Sequence, residues 1–216
     1  MNISSAARIL RTAPALRPIA TLVEQGEVSV QTRDLEEGIH ALYVPTPGTF
    51  AEEPALNDGI LLTSKREWNF DGNVYDRSIL VHEGYHALDD LQLAQTGTTY
   101  LESEKRAWSG QAAYLVQELT ETESPKEALQ GLVQEMKSRG LGGMEALGFG
   151  LGIRLAPLPP EHAAVGRLFE DAMVAEARDG MTGLDELFED PGKSLTGLLT
   201  LIYMTSPDTR LELDGI

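Results

Sequence analysis

The chain has 216 residues, 34 acidic and 17 basic side chains, a net charge of −17 and no cysteine. That length suits one domain with its own core, and the missing thiols exclude disulfides, iron–sulfur clusters, cysteine nucleophiles and cysteine-ligated zinc, so any metal centre must use histidines and carboxylates. The acidic balance argues against nucleic acid and anionic lipid as partners, and the longest apolar run, residues 198–204, falls far short of the roughly 20 residues of a membrane-spanning helix.

In chain order, the first 22 residues carry Arg8, Arg11 and Arg17 and no acid. This composition is shared with organelle transit segments, but no apolar signal region follows, and the segment reads as a short amphipathic helix of the folded domain. The expected compartment is the cytoplasm, or export without a recognisable signal peptide. Residues 27–32 alternate apolar and polar side chains, 39–44 are rich in β-formers and 59–63 are apolar, three strands of a small sheet. Between them, residues 45–57 hold three prolines and a glycine and read as a loop. Asp76 stands where an N-cap belongs, ahead of an apolar-periodic run over 79–93, and Gly97 lies where that helix should already have ended.

Thr99 followed by Glu102 forms a capping box that opens a second long helix, to about Leu119. Ser124-Pro125-Lys126-Glu127 repeats the pattern, with Pro at the first helical position of a third helix that Gly140 ends. Residues 140–160 hold six glycines and three prolines and read as a loose connection, with Gly148 to Gly152 forming a mobile, cleft-wall segment. Helices follow at 161–178, 183–189 and 194–204. Strands first and helices afterwards predict an α+β domain: one domain over 1–216, with an N-terminal helix and sheet to about 75, two central helices over 76–119 and a helical C-terminal part over 120–216.

The chemistry concentrates at Val81-His82-Glu83-Gly84-Tyr85-His86. His82 and His86 stand four apart on a predicted helix and project from one face toward a common point, which is metal-ligand geometry. Glu83 lies near enough to take a proton from a water held there without itself being a ligand. A catalytic zinc needs a third protein ligand. On the second helix Glu104 falls in the apolar stripe Leu101, Trp108, Ala112, Leu115, Leu119, whereas Glu102 falls on the polar face with Lys105, Arg106 and Ser109. A carboxylate in an apolar stripe needs a cation or donors, so Glu104 is the expected third ligand, with Glu102 as the alternative.

His82-Glu83-x-x-His86, seventeen intervening residues, then Glu104-Lys105-Arg106-Ala107-Trp108 resembles the gluzincin group of zinc metallopeptidases, over about residues 58–119. A metzincin would require Gly at 89 and His at 92, where this chain has Asp89 and Gln92. The resemblance implies a zincin-like fold, one Zn²⁺ per chain on His82, His86 and Glu104, Glu83 as general base, a peptide or protein substrate, and residues 59–63 bordering a cleft where an extended peptide adds as a strand. Asp89 and Asp90, one turn beyond His86, are placed to accept the free ring N–H of a ligating histidine. His162, Arg154, Tyr114 and Tyr203 are candidate oxyanion donors, while His40 reads as an ordinary strand residue and Tyr85 as a core residue. Asp190 to Ser194 ends like a phosphate-binding loop, but Leu187 stands where its first glycine belongs, so it reads as a turn. The rival readings are an inactive zincin-like binding or accessory module, against which intact Glu83 argues, and a latent enzyme whose N-terminal helix or C-terminal segment covers the cleft.

Overall fold

The computed structural model describes residues 3–33, 41–44, 60–64, 72–96, 99–140, 142–178 and 187–205. The N-terminal segment forms two helices rather than one. In α1 (Ile3–Thr12) Ala6, Ala7, Ile9 and Leu10 are buried on one stripe, and a short 3-10 turn (Pro14–Leu16) leads into α2 (Arg17–Gln25). Prolines at both turn starts fix φ while forfeiting donors that a helix start leaves unpaired anyway. Gly26 ends α2 at φ 78, a left-handed cap that glycine adopts without a Cβ penalty.

Strands β1 (Ser29–Arg33), β2 (Ala41–Val44) and β3 (Ile60–Ser64) form one mixed sheet in the order β1-β3-β2. β1 runs parallel to β3 and β2 antiparallel to it, with Tyr43 opposite Leu61. The expectation that residues 59–63 border the cleft as an open strand is therefore corrected: β3 is central and paired on both sides. Among the described residues β2 is an edge, and like β3 it packs against the helix carrying the histidines.

That helix is α3 (Val74–Thr96). Its cap is Asn73, not the expected Asp76: Asn73 Oδ1 accepts from the N–H of Tyr75 at 2.8 Å and of Asp76 at 3.1 Å. Asp76 is instead fully buried and paired with Arg139 at 2.5 Å. Helix α4 (Tyr100–Thr120) starts with the expected capping box, Glu102 N–H donating to Thr99 Oγ1 and Thr99 N–H to Glu102 Oε2. Helix α5 (Pro125–Ser138) starts at its proline, but Ser124 makes no side-chain cap, so the second predicted box does not form.

The largest departure is α6 (Gly143–Leu155), a helix where a loose glycine-rich connection was expected. Every residue from Ala146 to Ile153 is buried, and its glycines serve close approach rather than bending. A Cβ at Gly152 would stand 3.1 Å from the backbone oxygen of Trp108, and one at Gly148 2.9 Å from the Trp108 ring. A 3-10 turn (Pro160–His162), α7 (Ala163–Ala177) and α8 (Pro191–Thr205) follow. The predicted loop at 45–57 lies outside the described residues, as does most of the predicted helix at 183–189.

Two apolar clusters result. One joins α1, α2, β3 and the back of α3 through Leu10, Leu16, Ile19, Leu61, Leu80 and Val81. The other joins α4 to α8 through Leu115, Met136, Leu147, Phe149, Phe169 and Leu195. Among the described residues the chain is thus mainly helical with one small sheet near the N-terminus, and α+β describes it only loosely. Among the described residues no helix is long and apolar enough to cross a membrane. The α3–α4 pair lies at the junction of the two clusters, and the candidate site is built on it.

Candidate metal centre

Helix α3 is oriented from behind. A Cβ at Gly84, inside the motif, would lie 2.7 Å from Leu10 Cδ2 and 2.9 Å from Leu16 Cδ1, so the N-terminal helices pack directly on that face. Successive residues are 100° apart on a helix, so Gly84 points well away from both His82 and His86. Helices α1 and α2 therefore support the histidine helix from its far side, which corrects the idea that an N-terminal helix covers the cleft. On the near side Gly110 of α4 admits the Tyr85 ring, where a Cβ would fall 2.0 Å from Cε2. Tyr85 is thus the packing residue expected.

Across this close contact Glu104 meets both histidines. His86 Nε2 lies 3.2 Å from Glu104 Oε1 and His82 Nε2 3.5 Å from Oε2. One ligand atom from each of His82, His86 and Glu104 lies within 4.8 Å of the others. Glu104 is buried, whereas Glu102 is spent on the helix cap and is exposed. The structure brings together the first of the two candidate carboxylates and not the second.

The outer ring nitrogens are also engaged. His82 Nδ1 is 3.0 Å from Gln111 Oε1, Gln111 Nε2 donates to Ser78 Oγ at 3.1 Å, and Ser78 donates to the Tyr75 carbonyl at 2.7 Å. His86 Nδ1 is 2.9 Å from Ser103 Oγ. Ser103 hydrogen-bonds Asp89 in turn, and Arg106 Nη2 lies 2.9 Å from Asp89 Oδ1. Asp89 therefore reaches His86 through a hydroxyl rather than directly, and Asp90 does not reach it: Asp90 accepts the Tyr43 hydroxyl at 2.5 Å. Glu83 is buried, and its Oε2 accepts the backbone N–H of Tyr43 at 2.8 Å. Tyr43 thus ties edge strand β2 to α3 at two points seven residues apart.

Electrostatics couple the inner groups. Burial works against a charged His86, but the charge and hydrogen bond of Glu104 outweigh it and raise the imidazole to about 9. Burial likewise works to raise Glu104, yet the two histidines hold it well below the usual carboxylate range. Glu104 needs a cation beside it, supplied by a protonated imidazole or by a metal ion. Two imidazole nitrogens and one carboxylate oxygen are the protein ligands of a three-ligand zinc site with an open position, and this donor set suits zinc, cobalt or iron better than calcium or magnesium.

Two of the oxyanion candidates, Tyr114 and Arg154, are engaged elsewhere. The Tyr114 hydroxyl accepts from Arg77 Nε at 2.8 Å, and Arg154 Nε donates to Glu170 at 2.6 Å with its guanidinium over Phe188. His162 sits in the turn before α7, and His40 and the Tyr203 side chain lie outside the described residues. Asp190 to Ser194, expected as a turn ahead of a helix, is instead the cap and first turn of α8 itself, with Asp190 Oδ1 accepting the Lys193 N–H at 3.1 Å. A separate cavity of about 280 Å³ between α3, α4 and α5 shares no residue with the site, and its Asn73, Arg77, Glu118 and Glu135 pair among themselves or with Tyr114 and Arg139.

Tyr43, Ser78, Ser103 and Gln111 were not singled out from sequence. Gln111 carried a readable signal, since it stands two turns beyond Glu104 and so shares its face of α4. Ser103 and Tyr43 carried none, because their roles follow from how α3, α4 and β2 meet. No protein-family model matches the chain, and no curated protein or solved structure matches it.

Proposed function

We propose that the chain is a zinc-dependent peptidase of gluzincin type, with His82, His86 and Glu104 as metal ligands and Glu83 as general base. The observation that carries this reading is the convergence of both Nε2 atoms on one buried carboxylate, with the base of the same helix buried beside them. When bound, Zn²⁺ would acidify a water and polarise the scissile carbonyl. Glu83 takes the water's proton and returns it to the leaving amine. One Glu83 oxygen is fixed by the Tyr43 N–H, which holds the carboxylate in place while its second oxygen accepts the proton. Glu104 balances the charge gathered at the centre. Substrates are peptides or proteins, with basic segments favoured by a surface of net charge −17.

The test is cleavage of a pooled peptide library by wild type and Glu83→Gln, each loaded with zinc and shown to hold equal metal. The reading expects cleavage by wild type and its loss in the variant. Equal cleavage by both would remove Glu83 as base, and metal-loaded wild type that cleaves nothing would turn the reading toward an accessory module.

A further inference from the structure

The chain of hydrogen bonds behind His82 has only one consistent direction, and it can be deduced from its far end. The Tyr75 carbonyl has no proton to give, so the 2.7 Å contact with Ser78 Oγ requires the serine to donate. Ser78 has one proton, and its oxygen must then accept from Gln111 at 3.1 Å. The amide group facing Ser78 is therefore the nitrogen, which fixes an orientation that heavy-atom positions alone leave ambiguous. The other end of the amide, Oε1, faces His82 Nδ1 at 3.0 Å and can only accept. His82 must therefore carry a proton on Nδ1, and Nε2 is the ring nitrogen that faces Glu104 at 3.5 Å.

We propose that Gln111 is a positioning residue that keeps the proton of a neutral His82 on Nδ1, so that Nε2 is the nitrogen left to bind a metal. Gln111 and Ser78 are both buried, so water does not compete for these bonds. The Trp108 ring stands edge-on to His82 with centroids 5.9 Å apart and limits the ring's rotation. His86 is oriented in the same way: Ser103 gives its one proton to Asp89, so its oxygen accepts from His86 Nδ1 at 2.9 Å. At His82 the partner is an amide, Gln111, whose own orientation is fixed by Ser78. The importance of Gln111 for metal affinity rests on the metal-site reading, but the tautomer itself does not.

The experiment uses the full-length chain as wild type, Gln111→Leu and Gln111→Glu. The tautomer is read by ¹⁵N NMR of the imidazoles in metal-free protein at pH 10, above the value near 9 for His86. Zinc affinity is read separately, by competition with a chromophoric chelator. Wild type is expected to show His82 with a protonated Nδ1 and an unprotonated Nε2. Gln111→Leu should lose that preference and bind zinc about 10- to 100-fold more weakly, the range for removing such a partner. Gln111→Glu keeps an acceptor and should restore both readouts, which a merely structural role would not predict. A protonated Nε2 in wild type, or an unchanged tautomer in Gln111→Leu, overturns the proposal whatever the metal result. If Gln111→Leu does not fold, the wild-type tautomer and the Gln111→Glu variant still decide it. Wild type with the expected tautomer but no zinc binding leaves the tautomer assignment standing and removes the metal-site reading.

Discussion

The same glycine-to-alanine change should have opposite signs at two helical positions. At Gly131, exposed in α5, an added Cβ meets nothing within 4 Å. There alanine acts through helix propensity and should stabilise by about 1 kcal/mol. At Gly110 in α4 the Cβ would stand 2.0 Å from Tyr85 Cε2 and 2.4 Å from its Cζ, whereas carbons in contact sit roughly 3.5–4.0 Å apart. Either the α3–α4 pair separates or the tyrosine ring leaves its seat. Forcing a group into a filled contact costs roughly 1–3 kcal/mol, and this overlap belongs at the upper end. Subtracting the propensity gain leaves a loss of about 2 kcal/mol. For a domain of this size each kcal/mol moves Tm by roughly 2–4 °C. Thermal melts of the metal-free variants should therefore put Gly131→Ala about 2–4 °C above wild type and Gly110→Ala about 4–8 °C below it. A Gly110→Ala protein melting at or above wild type would refute the close α3–α4 approach on which the site depends.

Further tests bear on the charges. His86 is raised above its ordinary 6.5 to about 9, so its contribution to metal-free stability is complete below about 6.5 and is lost as pH rises through 9. Melting of metal-free protein should report this loss between pH 6.5 and 9. Zinc must displace the same proton, so measured affinity should rise with pH until about 9 and then flatten; a flat profile from pH 6 to 9 would contradict the coupling. Arg139→Ala strips the partner from fully buried Asp76 and should cost up to about 3 kcal/mol in urea unfolding, the low end for a broken buried pair because Arg139 keeps some contact with water. Tyr43→Phe removes the hydroxyl donated to half-buried Asp90 and should cost about 1–2 kcal/mol while leaving the backbone N–H to Glu83 intact.

How much of this was legible in sequence depended on whether the signal was local. His82 and His86 are four apart on one helix, and Glu104 stood out as a carboxylate in an apolar stripe, so helical period alone placed all three. The Thr99–Glu102 cap was equally local. Asp76 misled because its partner, Arg139, lies 63 residues away, and a buried ion pair looks in sequence like a capping residue. Gly148 and Gly152 of α6 misled for a related reason: they serve contact with Trp108 on another helix, and sequence shows the missing side chain but not the neighbour that fills its space. The order of the sheet was also non-local, since the edge position of β2 depends on β3 inserting beside β1.

The central claim is tested most directly by counting metal. Purified chain stripped with chelator, reloaded with zinc and desalted should retain one zinc per molecule by elemental analysis, and His82→Ala, His86→Ala and Glu104→Ala should each retain far less while keeping the wild-type far-UV spectrum. Folded wild type that retains no zinc, or variants that retain as much as wild type, would contradict the account.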